Sequence, residues 1–245
     1  MRLFSIILLA LLPLTAHALN YEQRVRHITG NNLVRHFDLT DRSGTAAVDR
    51  SANSTSGTYT NSPTLSAIVG SDGKRAPLLD GVDQYVPLGT LSPLGDSADF
   101  TIIVWMKVSA SGVWTDGTTR TSMMIRNTSD NWCQIRRYTV NNTMRMECRS
   151  GGTVNNLDIG SMTTTDWFPI GCVVKNTGDC EVYLDGVSQG TITKSSSWTG
   201  SGGWLDGALG RASDVNNRFW DGHLSNAIIS GVAHSDGEMM VLGKL

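Results

Sequence analysis

The sequence predicts an all-β fold, a two-sheet antiparallel β-sandwich, on three observations. Short alternating or continuous apolar runs recur along the chain, and no stretch sustains a helical period. The 26 glycines are spread among Ser, Thr, Asn and Asp as punctuation between those runs. A chain of 245 residues, 40% of them hydrophobic, can bury one large core, and sandwiches of this size commonly form single domains.

The first segment is a targeting pattern. Arg2 precedes an almost continuous apolar run over residues 3–14, and Ala16-His17-Ala18 places small residues around a cleavage point after Ala18. Residues 1–18 are expected to be a secretion signal, and no later stretch is long and apolar enough to cross a bilayer. Residues 19–32 read as an N-terminal extension with a helix over 21–30, and residues 33–245 as the sandwich domain.

Strands are expected at 33–39, 84–88, 100–108, 122–126, 133–138, 143–149, 167–175, 180–185, 205–210 and 222–230. Several are rich in Val, Ile, Thr and aromatics, which suit a pleated, half-buried surface. In the run 101–108, Ile102, Val104, Met106 and Val108 share one face, while Ile103, Trp105 and Lys107 share the other. With both faces largely apolar, this strand is expected to be central. Asp80-Gly81, Asp116-Gly117, Asp185-Gly186 and Asp221-Gly222 each offer glycine where a tight turn can require positive φ. Segments 51–74 and 193–203 are the most loop-like. Ser235 and Glu238 have capping-box spacing, which predicts a short terminal helix.

Charge excludes some partners. The formal net charge is -2 and charged residues are 17% of the chain. That balance gives no electrostatic reason to expect nucleic acid or an anionic membrane.

Four cysteines fall near two predicted hairpins. Cys133 and Cys148 flank a turn near Asn141-Asn142; Cys172 and Cys180 flank one centred on Asn176. In an exporting compartment disulfides persist, and at least one bridge is expected. Three connectivities are open, with pairing inside each hairpin preferred. A zinc site is not expected, because there is no Cys-x-x-Cys pair.

The order of motifs resembles the laminin-G-like, concanavalin A-like jelly rolls appended to bacterial secreted and phage proteins. Phe37-Asp-Leu-Thr-Asp-Arg-Ser-Gly44 is similar to the family's opening strand and turn. Val48-Asp-Arg-Ser-Ala-Asn53, then Gly57-Thr-Tyr59, resembles its Asp-x-Ser-x-Asn loop. Leu79-Asp-Gly-Val-Asp-Gln-Tyr-Val86, Phe100-Thr-Ile-Ile-Val-Trp-Met-Lys107 and Val182-Tyr-Leu-Asp-Gly-Val187 follow in family order. Gly207-Ala-Leu-Gly-Arg211 and Phe219-Trp-Asp-Gly-His-Leu-Ser-Asn226 complete it. Leu79 and His36 depart from the family's usual aromatics. The resemblance implies a sandwich over residues 33–242 and a function in binding glycans or proteins, in some members with calcium.

Three kinds of site are weighed. Calcium wants six to eight oxygens. Asp49, Asn53 and Asp221, with Asp80 and Asp83, lie in the family-like loops and are the candidate ligands; capping their own turns is the plainer role for such residues. Tryptophans beside polar, glycine-rich loops can stack on a sugar ring. Trp198 and Trp204 are the first candidates, with Trp132, Asn131 and Arg136 next; covering sandwich edges is the competing role. Catalysis has no recognisable motif. There is no His-Glu-x-x-His, no Gly-x-Ser-x-Gly, and no Glu-x-Asp-x-x-Glu of the kind glucanases of this fold carry. Glu147, Glu181 and Asp185 therefore read as structural. The expected function is a secreted carbohydrate- or surface-ligand-binding module, with calcium as a candidate structural ion. The alternatives are an adhesion module on a virion or cell surface with protein partners, and a polysaccharide-degrading enzyme.

Overall fold

The computed structural model describes residues 19–91, 94, 99–139, 142–198, 206–213 and 217–244. The secretion-signal reading falls on residues 1–18, outside these. Among the described residues, sixteen strands form two large antiparallel sheets and one small pair.

The first sheet runs in the order β14 (Val187–Ile192), β13 (Cys180–Leu184), β12 (Phe168–Val174), β7 (Phe100–Val108), β16 (Asp221–Ser230), β5 (Arg75–Asp80), β4 (Thr64–Val69). β1 (Leu33–Phe37) pairs with the later part of β16. The second sheet runs β11 (Thr153–Ser161), β10 (Thr143–Ser150), β9 (Asn131–Tyr138), β8 (Arg120–Thr128), β15 (Asp206–Leu209), β6 (Val86–Pro87). β2 (Ala46–Ala47) and β3 (Gly57–Thr58) make the small pair.

The alternation in β7 explains the layering. Ile102, Val104, Met106 and Val108 point into the main core, where they join Met123, Ile125, Ile135, Met144 and Met146 of the second sheet. Ile103 and Trp105 point the other way, into a second core. That second core is closed by two helices, α1 (Tyr21–Thr29) and α2 (Asp236–Leu242). Both begin with capping boxes, Asn20 with Gln23 and Ser235 with Glu238, so their first amides have partners. Tyr21 ties the layer together: its hydroxyl donates to the Leu242 carbonyl at 2.9 Å and accepts from Trp105 Nε1 at 2.9 Å. The N-terminal extension is thus integral to the fold.

β16 shows why two strands can share its edge. β5 pairs with its start, Asp221 opposite Asp80, and β1 with its end, Phe37 opposite Ala227. Between them Asn226 takes φ 44° at a register shift against β7. Asn tolerates the left-handed region, and the bulge bends the strand. Asp221-Gly222, expected as a turn, instead opens β16. Gly222 has φ 143°, and an added Cβ would lie 2.1 Å from the Lys107 carbonyl oxygen, so close backbone approach fixes this glycine.

The segment expected as loop over 51–74 contains β3 and all of β4, and β2, β5, β11 and β14 were also not foreseen. β11 and β14 are the outermost strands of their sheets and largely exposed, so neither needs an apolar face.

The cysteines divide. Cys133 and Cys148 sit directly opposite each other, with Cα atoms 4.2 Å apart, and form a disulfide. The expected Cys172–Cys180 bridge is not formed; both are buried thiols. Register is the reason: Cys172 faces Val182 and Cys180 faces Val174, so the two are diagonal neighbours.

Candidate functional site

Trp132 and Trp198 do not form the expected sugar platform. Trp132 is 6% exposed and packs with Met124 and Ala212 on the outer face of the second sheet. Trp198 is 2% exposed in the main core, tilted against Phe100, with Lys194 Nζ 4.8 Å from its ring. A sealed indole offers no face to a ligand. Trp204 lies outside the described residues. Asn131 is buried, where its Oδ1 accepts from the Gly151 amide and its Nδ2 donates to Thr128 Oγ1.

Arg136 belongs to a polar network on the outer face of the second sheet. Its guanidinium donates to Glu147, whose other oxygen accepts from Gln134 Nε2 at 2.7 Å. Arg145 also approaches Glu147, pairs with Asp158, and stacks 3.7 Å over the Tyr138 ring. Burial pulls the Arg136 pKa down, against the pull of Glu147. Glu147 is fully engaged in holding this face together. Glu181 likewise accepts from Ser188, and Asp185 sits in a left-handed turn at φ 52°.

The proposed calcium ligands do not converge. The Asp49 carboxylate accepts from the amides of His36, Ser51 and Thr55 and from Ser51 Oγ, at 2.8–3.2 Å. Asn53 Nδ2 donates to the carbonyls of Leu33 and Val34. Asp221 accepts from Ser109 Oγ and faces Arg120 at 3.5 Å. Asp49 bridges to Phe37, opposite Ala227, so it lies about 20 Å along β16 from Asp221 at the usual strand rise. These residues fasten loops, and they do not fit one ion. Among the described residues, the group of ligand-type side chains that does converge is Cys133, Cys148 and Cys180.

A cleft suited to a small ligand lies at the rim, where the β5–β6 connection meets residues 211 and 219. It has a volume of about 460 Å³ and is lined by Thr60, Asn61, Val82, Asp83, Tyr85, Arg211 and Phe219. That falls in the ~300–1,000 Å³ range of small-molecule sites. The half-buried Tyr85 ring is backed by Phe219, which is 8% exposed; the two are tilted at 44°, with ring centroids 6.2 Å apart. The Arg211 guanidinium lies 3.8 Å from the Tyr85 ring centroid, a cation–π contact that orients its donors. Asn61, Thr60 and Asp83 add hydrogen-bonding groups.

The walls are held from behind. Thr60 and Tyr85 form a backbone bridge, and Asn61 Nδ2 donates to the Asp83 carbonyl at 3.0 Å. Gln84 reaches back to the Asn61 carbonyl while its Oε1 accepts from the Asp80 amide. Asn61 and Ser62 take φ 58° and 54°, a tight reversal that such ties must stabilise. Arg120 touches both walls, donating to the carbonyls of Gly81 and Phe219 at 3.4 Å each. Its partner Asp116 is held below the usual carboxylate range: burial opposes this, and Arg120, the Thr118 amide and Arg137 outweigh it.

None of the cleft residues except Asp83 was singled out from the sequence. Tyr85, Arg211 and Phe219 stand inside three of the family-like motifs, but far apart in the chain. Only pairing of β15 with β6 and of β16 with β5 brings them together. A lone tyrosine after an Asp-Gly turn carries no signal of that convergence.

The chain is similar to known proteins in fold. The family model described as the concanavalin A-like lectin/glucanases superfamily matches residues 80–239. No curated protein matches the chain. Domain 4 of AbnA, a GH43 extracellular arabinanase from Geobacillus stearothermophilus solved in complex with arabinotriose, is 20% identical, with TM-score 0.66, over 87% of this chain and 98% of that one. The binding domain of Paraclostridial Mosquitocidal Protein 1 is 15% identical, with TM-score 0.67, over 87% of this chain and 52% of that one. The botulinum neurotoxin serotype D binding domain is 9% identical, with TM-score 0.65, over 87% and 51%. The chain thus spans about half the length of these two toxin domains. Identities this low show a shared fold and no more. The family match covers most of the sandwich, and the two packed antiparallel sheets agree with it: the chain belongs to the concanavalin A-like lectin/glucanases superfamily.

Proposed function

We propose that this protein is an exported carbohydrate-binding module that holds a glycan in the rim cleft against Tyr85 and Arg211, with the buried Phe219 backing the Tyr85 ring. The carrying observation is the cleft's composition. Sugar rings present apolar C–H faces edged by hydroxyls, and the cleft sets aromatic surface beside an amide, a carboxylate and a guanidinium. The arabinotriose bound by the arabinanase domain supports a sugar on this fold. Export is supported by the pattern of residues 1–18 and by the Cys133–Cys148 disulfide. Asp83 is the one carboxylate among the described residues lining the cleft. The usual glycoside hydrolysis needs two across the sugar, so the cleft is read as holding rather than cutting. The calcium candidates do not fit one ion, and the proposal carries no metal.

Affinity electrophoresis against plant, bacterial and animal polysaccharides tests this reading. Tyr85→Ala and Arg211→Ala should each weaken retention about tenfold or more, as loss of an anchoring contact does. Trp132→Phe, away from the cleft, should leave retention unchanged. Retention of the Tyr85 and Arg211 variants at wild-type strength would move the site elsewhere. Binding of no polysaccharide would favour a protein partner, and release of reducing sugar would mark an enzyme.

A further inference from the structure

Four sulfurs meet in the main core. Cys133 and Cys148 are bonded to each other in the second sheet, and Cys172 and Cys180 are thiols in the first. All four are 0% exposed. The sulfurs of Cys180, Cys133 and Cys148 lie within 4.8 Å of one another, so a thiol of one sheet faces a disulfide of the other. Cys172 stands beside Cys180; burial, then hydrogen bonding to Cys180, pushes its thiol well up. Cys180, and not Cys172, is the thiol that geometry brings within reach of the bridge.

A thiolate beside a disulfide can displace one of its sulfurs. We propose that Cys180 is the exchange partner of the Cys133–Cys148 bridge, so that the protein can trade a bridge within the second sheet for one between the two sheets. In the step, Cys180 gives its proton to solvent base and its sulfur bonds to Sγ of Cys148. The Cys133–Cys148 bond breaks, its electron pair goes to Cys133, and Cys133 takes up a proton. One S–S bond forms and one breaks, one thiol is consumed and one released, and no oxidant is needed. Attack on the other sulfur joins Cys180 to Cys133 by the same balance. Either product spans more chain than the 15 residues of the present bridge, so once formed it restricts the unfolded chain more and stabilises the fold by that route. Both products also staple the two layers of the sandwich covalently. Burial makes the exchange slow while the core is closed, so loosening the core speeds it.

The test uses the full chain in its oxidised form. It is held near pH 8.5, about the pKa of a free thiol, in sub-denaturing urea, then acid-quenched and alkylated. Trypsin separates all four cysteines, cutting at Arg126, Arg136, Arg145, Arg149, Lys175 and Lys194. Mass spectrometry should show the Cys180 peptide linked to that of Cys133 or Cys148, with the displaced cysteine alkylated. The linked species should grow with time, persist in Cys172→Ser and vanish in Cys180→Ser. A wild-type digest with only the Cys133–Cys148 link, and both Cys172 and Cys180 alkylated, overturns the proposal. So does a Cys172–Cys180 link alongside an intact Cys133–Cys148 link. The wild-type result decides the matter even where a variant fails to fold.

Discussion

The outer faces of the two sheets obey the same period-two alternation and end in opposite states. On the first sheet, Ile103 and Trp105 of β7, Val173 of β12 and Ile228 of β16 make an apolar surface sealed by α1 and α2. On the second, Gln134, Arg136, Glu147, Arg145 and Asp158 run across β9, β10 and β11 as a ladder of hydrogen bonds and ion pairs. The first face is held by removal of apolar area from water, the second by groups that satisfy one another. The first is covered by the helices, and on the second the polar groups are committed to one another. The rim is different: there side chains from separate loops converge around a cavity, which is why the functional proposal rests there.

The largest break in this comparison should come from Trp105→Ala. The substitution empties a large volume from the second core and removes the indole N–H that donates to the Tyr21 hydroxyl. Large-to-small changes of this kind cost about 3–5 kcal/mol. Urea unfolding should show that loss, with α1 loosening first, as seen by faster amide exchange over residues 21–29. An equal loss of protection throughout the sandwich would mean that the helical layer is not a separable core.

Glu147→Gln should cost less, about 1.5–3 kcal/mol, the range for hydrogen bonds to charged groups. Its carboxylate serves Gln134 and Arg136 and lies near Arg145, and the residue is only 3% exposed. Arg145 keeps Asp158; Arg136 keeps only its place 5.0 Å over Tyr138. Paired unfolding measurements on Glu147→Gln, Arg136→Met and the double variant give the coupling. Additivity of the two single effects would dissolve the network into unconnected contacts.

The same contrast explains what could be read from the sequence. The two-faced apolar pattern of residues 100–108 announces a strand buried on both sides, and β7 matches it residue for residue. The capping-box spacing of Ser235 and Glu238 announces α2 because it is local. β11 and β14 escape because an exposed edge strand need not alternate. The site escapes for a different reason. Trp132 and Trp198 look like platforms because they neighbour polar loops, yet neighbours in sequence do not determine which face of a strand a ring occupies. Tyr85, Arg211 and Phe219 become a site only through long-range pairing, which no spacing along the chain encodes.

The smallest effect, and the one that sharpens the comparison most, is a pH dependence confined to the first sheet. His36, His223 and His234 belong to β1, to β16 and to the turn after it, and are 1%, 5% and 6% exposed. Burial lowers the pKa of each from its ordinary 6.5. The unfolded chain therefore takes up protons below 6.5 that the folded chain refuses. Stability is complete above that pH and falls as pH drops from 6.5 towards the folded values. The slope is at most about 1.4 kcal/mol per pH unit for each histidine. Asp116, in the loop before β8 and paired with Arg120 and Arg137 of the second sheet, lies below its ordinary 3.8, so its contribution is lost only in stronger acid. Between about pH 7 and pH 5 only the first sheet should respond. His36→Gln keeps a donor for Asn226 Oδ1 and removes one titrating group, so its urea midpoint should fall less steeply over that interval than the wild type. Identical slopes for the two proteins would mean that His36 is protonated in the fold, and that the layer beneath the helices is wetter than its packing indicates.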